Sequence, residues 1–585
     1  MFPLHDALDD VLREELAQYD DLTAALLSRR GILTKEDAER FLNPSYDEHL
    51  YDPLLMTDMS LASKRLGMAI LAREKIAVWS DYDCDGIPGA VLMHDFLRKV
   101  GADFEIHIPH RHDDGYGMNI GGIEMLAKKG VKLIVTVDSG ITDIEPIVRA
   151  KKLGVDVIIT DHHLAGEKLP DAFAIVNPNA RENETYPFHE LCGTAVAWKL
   201  VCATLALSPE LREKVPAGWE KWLLDMVGLA TVADMVPLVG ENRVLATFGL
   251  KVLRKSPRIG LQKLCRGMRV EQRSITEDDI GFMIAPRINA ASRMGEAQDA
   301  FKLFTTSDEN EADLLAKKLE KMNRGRKAEA GVITRAVHSR LKERAEIRPI
   351  IALGDPSWRP ALLGLVAGNI ADEYERPVFL WGREGLPAGR QGTGKLKGSV
   401  RNGGNINAFQ LMGATENTFV EFGGHAAAGG FTVRDDAIFF LEDKLVEACE
   451  RMEKKEFEED LSQHADAVIN PEEATESFLK KVERLAPFGQ QNAKPVFLLR
   501  DVIVQEISHF GKSEEHLKLK ICSQEGNGNI EAVTFFAKGA LARTVADLGK
   551  NNSVSLLAHL EHDTFSRGNP IRLRLIAIKP ASANL

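Results

Sequence analysis

The chain has 585 residues, enough for three or four domains, and its 44% apolar and 27% charged residues are ordinary for globular protein. A net charge of −12 excludes a protein that coats nucleic acid indiscriminately, while a local basic surface would still permit a nuclease. No apolar run approaches the roughly 20 residues of a membrane span. The opening Met1-Phe2-Pro3-Leu4-His5-Asp6 lacks a signal-peptide pattern, and the six cysteines have no CxxC spacing, so reduced thiols in a cytoplasmic protein are expected.

Residues 1–70 read as short helices with stops at Asn43-Pro44 and Asp52-Pro53. From residue 71 to 305 short apolar runs alternate with helical segments, the pattern of a doubly wound parallel sheet. Residues 306–348 predict a long connector helix, with an apolar stripe through Leu315, Leu319, Ile333 and Val337 and a bend expected at Asn323-Arg324-Gly325. A second, glycine-rich α/β region covers 349–462, and its loop 384–394 suggests no chemistry. Residues 463–585 start with a helical lead-in and continue as five strand-like runs, which predicts a small barrel of the oligonucleotide-binding type. In that barrel Lys518, Lys520, Arg572 and Arg574 alternate with apolar residues and are expected on an exposed face. Phe510 and Phe565 could stack on bases, though plain packing is the commoner role. Lys251 to Arg273 carries eight basic residues against one acid, Glu271, and reads equally as a solvated face or a phosphate-contacting wall.

The chemistry concentrates in the first α/β region, where four apolar runs end in acid or histidine. Ile76–Trp79 leads to Asp81-Tyr82-Asp83-Cys84-Asp85-Gly86, Leu133–Val137 to Asp138-Ser139-Gly140, and Val155–Thr160 to Asp161-His162-His163. A fourth run, Met226–Ala233, is read as another strand delivering Asp234. Parallel strands present their carboxyl ends along one edge, so at least five carboxylates and two imidazoles are expected at one crevice. Any one of these acids would pass as a helix N-cap, but the joint pattern would not. Carboxylates so crowded need cations, and oxygen ligands with an imidazole suit Mn²⁺ or Mg²⁺. Two such ions would activate water and stabilise a leaving phosphate oxygen, with Asp138 the best bridging candidate. Neither a Gly-x-Ser-x-Gly elbow nor a Walker loop is present to compete.

These motifs, together with Ala233-Asp234-Met235-Val236-Pro237-Leu238, resemble the metal-binding motifs of the DHH phosphoesterase superfamily. Ile108-Pro109-His110-Arg111, Gly193-Thr194-Ala195 and Pro286-Arg287-Ile288-Asn289-Ala290-Ala291 point to its bacterial branch of single-strand-specific exonucleases. Gly398-Ser399-Val400-Arg401 and Gly424-His425-Ala426 resemble the DHH-associated domain, and Ala486-Pro487-Phe488-Gly489 the start of the terminal barrel.

The resemblance implies a 5′→3′ DNA exonuclease of repair and recombination that releases mononucleotides. It implies two divalent cations held by Asp83, Asp85, Asp138, His162 and Asp234, with His163 also catalytic and Asp81 and Asp161 behind the ligands. Substrate contacts would fall on Arg111, Asn289, Arg293, Ser399, Arg401 and His425. Implied partners are single-stranded DNA, a single-strand-binding protein and a helicase, acting with a monomer. Ser292 stands where the family has glycine. The alternatives are a small-substrate phosphodiesterase or pyrophosphatase of the same superfamily, and an inactive binding protein built on the fold.

Overall fold

A computed structural model describes residues 2–111, 117–383, 395–403, 406–452, 464–511, 514, 516–526, 528–535, 541, 544–545, 548, 552–563, 566 and 570–581. The chain divides into two compact units, Met1–Glu320 with Ser462–Leu585, and Lys321–Leu461.

The first unit is built on a parallel sheet in the order β2-β1-β3-β4-β5, from β1 (Lys75–Ser80), β2 (Phe104–His107), β3 (Val131–Val137), β4 (Asp156–Thr160) and β5 (Ala174–Val176). β1 and β3 are almost wholly buried, as strands covered by helices on both faces must be. The helices Gly86–Val100, Ile120–Lys128 and Ile144–Lys152 make the crossovers. The chain order reverses between β1 and β3, and ligands of doubly wound sheets bind at such a point.

The fourth apolar run is a helix, not a strand. Leu224–Ala233 is buried on all sides, and a uniformly apolar run shows no period from which to tell helix from strand. Its Gly228 lies against Gly249 of the helix Gly240–Leu253, where a Cβ would come within 2.6 Å of the Gly249 Cα. The connector is one helix, Glu309–Lys342, of 34 residues, and it continues through Asn323-Arg324-Gly325 without the expected interruption.

The second unit has a mixed sheet in the order β6-β7-β8-β10-β9: β6 (Ile351–Gly354), β7 (Val378–Arg383), β8 (Leu396–Arg401), β9 (Phe419–Gly424) and β10 (Ala428–Val433). Loop 384–394 lies outside the described residues.

The C-terminal strands are β11 (Ala467–Val468), β12 (Phe497–Phe510), β13 (His516–Cys522), β14 (Ile530–Thr534), β15 (Ser553–His562) and β16 (Ile571–Pro580). β12 pairs with both β13 and β15, and β14 with β16, which closes a five-stranded barrel. The expected face needs one correction. Arg572 is buried opposite Glu561 on β15 and forms ion pairs with Glu561 at 2.8 Å and Asp563 at 2.7 Å, while Lys520 is exposed. Phe510 packs against His516 and Phe535, and Phe565 lies outside the described residues.

The barrel is not an appendage. Its lead-in is bound to both the N-terminal helices and the parallel-sheet region. Leu485 sits in one core with Leu27, Phe41 and Leu42. Arg30 donates to Asn492 Oδ1 at 2.6 Å, and the Leu238 amide to the Gln490 carbonyl at 2.9 Å. Lys494 pairs with Asp278. At the centre is Arg243, buried over the Phe41 ring, donating to the carbonyls of Phe41 (2.6 Å), Leu485 (2.9 Å) and Ala486 (3.1 Å). Arg243→Ala would strand the carbonyls of Phe41 and Ala486, while that of Leu485 keeps Asn492 Nδ2 at 2.8 Å. An unsatisfied buried acceptor costs about 1–3 kcal/mol, so urea unfolding should show a loss of about 2 kcal/mol or more. A loss below about 1 kcal/mol would show that the segments hold together without it.

Candidate metal centre

The sheet's carboxyl edge places three acids in a row. The Asp81 amide donates to the Val137 carbonyl (3.1 Å), Asp138 to Thr160 (3.0 Å) and Asp161 to Val176 (3.2 Å). Each strand thus ends on the last residue of its neighbour, and each next residue is an aspartate. Asp138 turns there with φ of 58°, a left-handed conformation that non-glycine residues seldom adopt and that clusters at functional sites.

Local backbone fixes the first acidic loop. Asp83 Oδ1 accepts from the amides of Asp85 (2.8 Å) and Gly86 (3.1 Å). A Cβ on Gly86 would lie 2.3 Å from the Asp81 carbonyl oxygen, so the turn needs glycine. Asp85 reaches across to the start of the helix Gly193–Leu207, accepting from Gly193 N at 2.6 Å and Thr194 N at 2.8 Å, where the helix dipole favours a negative charge. Gly193 is equally constrained, because a Cβ would fall 2.7 Å from the Asp138 Cβ.

Asp161 is fully buried and orients both histidines. Its Oδ1 accepts from the His162 amide (2.8 Å), the His163 amide (3.2 Å) and His163 Nδ1 (2.8 Å), and its Oδ2 from Ile141 N (3.0 Å). Asn179 donates to the His162 carbonyl at 2.7 Å and Asn177 to that of His163 at 2.9 Å. Neither asparagine was expected from the sequence, although Asn177-Pro178-Asn179 directly after β5 was the available signal. Asp234 comes from the C-terminal end of Leu224–Ala233, not from the sheet.

The side chains converge. His162 Nε2 lies 3.2 Å from Asp138 Oδ1 and 3.7 Å from both Asp85 Oδ2 and Asp234 Oδ2. Three overlapping groups bring ligand atoms within 4.8 Å of one another: Asp138 with His162 and His163, Asp85 with His162 and Asp234, and Asp81 with Asp83 and Asp138. Burial followed by mutual repulsion drives Asp81 and Asp138 well above the usual carboxylate range and Asp234 up to about 9. Asp161 is the exception. Burial alone would raise it, but the His163 ring and the Ile141 amide hold it low. His163, whose own burial works against its charge, is raised to about 9 by Asp161.

These residues fit divalent cations. His162 Nε2 is buried without a hydrogen bond although three carboxylates surround it, and one buried oxygen of Asp81 also has no hydrogen-bond partner. Positive charge between those oxygens would remove the repulsion, and the hard donor set with one or two imidazoles suits Mn²⁺ or Mg²⁺.

Arg111 lies 4.8 Å over the ring of Tyr82, within the acidic loop. Tyr82 is raised to about 12 by burial, against the opposing fields of Arg111 and, more weakly, Arg293. Both arginines therefore stand beside the cluster. Asn289 lies on the helix Ala285–Met294, its buried Oδ1 without a hydrogen bond, and Ser292 fits there by donating to the Asn289 carbonyl at 3.2 Å. Ser399, Arg401 and His425 belong to the second unit. Ser399 and Arg401 are two residues apart on β8 and so share a face, with the Arg401 guanidinium against Gly364. Arg401 is half-buried, has no carboxylate partner among the described residues, and burial lowers its pKa. His425 is exposed in the turn between β9 and β10.

Sheet and acids together define a phosphoesterase of the DHH class, and residues 75–231 match the DHH family, N-terminal domain, while 465–577 match the RecJ OB domain. The single-stranded-DNA-specific exonuclease RecJ of Bacillus subtilis is 34% identical over 86% of this chain, which spans 61% of that relative's length. RecJ of Salmonella typhimurium is 31% identical, with 90% of this chain and 91% of that protein aligned. The crystal structure of RecJ from Thermus thermophilus with Mn²⁺ superposes with a TM-score of 0.78 at 25% identity, covering 99% of this chain and 79% of that one. That protein has also been solved with Mg²⁺. The chain belongs to the RecJ family.

Asp161 orients the histidines without itself joining the three ligand groups. Losing such an orienting partner typically costs 10–100-fold in metal affinity. Asp161→Ala should therefore weaken Mn²⁺ binding by about that factor in calorimetric titration. Unchanged affinity would show that the histidines are placed by Asn177 and Asn179 alone.

Proposed function

We propose that this chain is a single-strand-specific DNA exonuclease that hydrolyses phosphodiester bonds from the 5′ end, releasing mononucleotides in DNA repair and recombination. The observation that carries the reading is the convergence of Asp85, Asp138 and Asp234 within 3.7 Å of His162 Nε2, on a chain of the RecJ family. Asp83, Asp85, Asp138, His162 and Asp234 would hold two divalent cations, Mn²⁺ or Mg²⁺. When bound, the pair lowers the pKa of a water and offsets charge on the phosphate and leaving oxygen.

The protein's own groups do the positioning. Asp161 fixes the rotamer of His163 through Nδ1, which keeps the half-exposed ring beside the acids, where a bound phosphate would meet it. Asp81, grouped with Asp83 and Asp138, would support the ligands from beside them. Arg111 and Arg293 provide cations for the phosphates next to the cleaved bond, and Asn289 an amide. Ser399 and Arg401, with His425, form the clamp for a 5′-terminal phosphate, since a desolvated guanidinium can hold a phosphate by two parallel hydrogen bonds. The barrel holds the strand downstream. We further propose working boundaries of 71–305 for the catalytic domain, 349–462 for the associated domain and 463–585 for the lead-in and barrel, acting as a cytoplasmic monomer alongside a single-strand-binding protein and a helicase.

A small-substrate phosphodiesterase would share the acids but have no use for a barrel tied into the catalytic unit. The deciding experiment follows a 5′-labelled and a 3′-labelled single strand with Mn²⁺. The 5′ label should pass at once into mononucleotide while the 3′-labelled strand shortens through a ladder. The opposite pattern would reverse the polarity, and cleavage confined to two- or three-nucleotide substrates would favour the small-substrate reading.

Arg401→Ala tests the clamp. A hydrogen bond to a charged group contributes about 1.5–3 kcal/mol, so affinity for a 5′-phosphorylated strand should fall by that amount and hardly change for a 5′-hydroxyl strand. Equal losses on both would make Arg401 a backbone or structural contact.

A further inference from the structure

We infer that the basic segment Lys251–Arg273 is one wall of a second groove for single-stranded nucleic acid, separate from the metal cluster. The inference rests on the nuclease reading above. Two adjoining cavities, of about 940 and 520 Å³, share Lys251 and Lys255 and so form one depression. Arg254 and Arg273 line the first part, and Trp222 and Phe248 the second. Lys251, Lys255 and Arg273 have no carboxylate partner among the described residues, and Lys251 Nζ lies 4.4 Å from the Phe248 ring. Trp222 is 52% exposed, an unusual state for so large an apolar ring.

The wall is held in shape before any ligand arrives. Gln272 Nε2 bridges the carbonyls of Leu253 (3.0 Å) and Ser256 (2.8 Å), closing the end of the helix Gly240–Leu253. Ser256 Oγ and Arg258 Nε both donate to the buried Asp225 at 2.7 Å, and Arg258 also reaches Asp95 at 2.7 Å. Helix-dipole compensation would explain Lys251 and Arg254, which stand at that helix end, but not Arg273 or the exposed indole. Cations interleaved with ring faces suit a strand whose phosphates alternate with unpaired bases. A duplex hides its base faces and would leave the rings unused. Leu224 of the groove begins the helix whose far end carries Asp234, so about 15 Å separates groove from cluster at 1.5 Å per residue. A long strand could therefore occupy both sites, and a very short one could not.

The test uses the full-length protein, with Lys255→Ala combined with Arg273→Ala as one variant and Trp222→Ala as another, each checked for an unchanged melting temperature. Binding of a fluorescent oligothymidylate of about 30 nucleotides is followed against salt, with EDTA to stop cleavage. Each lost phosphate contact should flatten the log–log salt slope by about 0.7, so the double variant should lose about 1.4. Trp222→Ala should weaken binding at least about fivefold, the low end for one stacked base. Tetranucleotide cleavage with Mn²⁺ should be unaltered in both. Unchanged slope and affinity would overturn the groove, as would equal losses on the tetranucleotide. Loss of binding to an oligo-aspartate peptide, with strand binding intact, would assign the surface to an acidic protein instead and also overturn it. If the wild type binds strands through these residues but cleaves none, the nuclease reading fails and the groove stands.

Discussion

Repulsion among buried carboxylates is the constraint on which the rest of the first unit depends. Asp81, Asp85 and Asp138 are almost wholly buried, close enough for Asp138 to be raised by the charges of Asp85, Asp83 and Asp81 in turn. Backbone amides hold two of the carboxylates, two donating to Asp83 and two to Asp85, while the main chains of Asp81 and Asp138 are pinned by their own amides, which donate into the sheet ladder. Amides supply partial positive charge without a counter-ion that would compete for the ligand oxygens. The site is thus rigid and electrostatically unfinished, which is what a resident pair of cations requires.

The fold around the cluster serves that rigidity. Asp234 depends on a helix clamped glycine to glycine against its neighbour, and the loop after it is tied at Leu238 to Gln490 in the lead-in to the barrel. Arg243 then joins the N-terminal helices to that same lead-in. A cut near residue 463 would therefore expose a core and take two of its three carbonyl partners from a buried arginine, rather than simply release a strand-binding module.

Much of this was legible because parallel-sheet topology converts sequence order into spatial position. An acid immediately after a buried β-branched run must stand at the carboxyl edge, and Asp81, Asp138 and Asp161 do. The Asp234 segment was misread as a strand because Leu224–Ala233 is apolar on every side, leaving no periodicity. Arg572 was misplaced because its burial depends on Glu561 across the barrel, a register that alternation along one strand does not contain. Asn177 and Asn179 went unnoticed because an amide that holds a distant carbonyl looks like any turn asparagine until the strands are assembled.

The central claim is that five residues from three strand ends and one helix end form a two-cation site. Anomalous diffraction at the manganese edge, from crystals of the protein soaked in Mn²⁺, tests it most directly. Two peaks about 3.5–4 Å apart are predicted, flanked by Asp83, Asp85, Asp138, His162 and Asp234 and with Asp138 between them. A single peak, or peaks elsewhere in crystals of active protein, would contradict it.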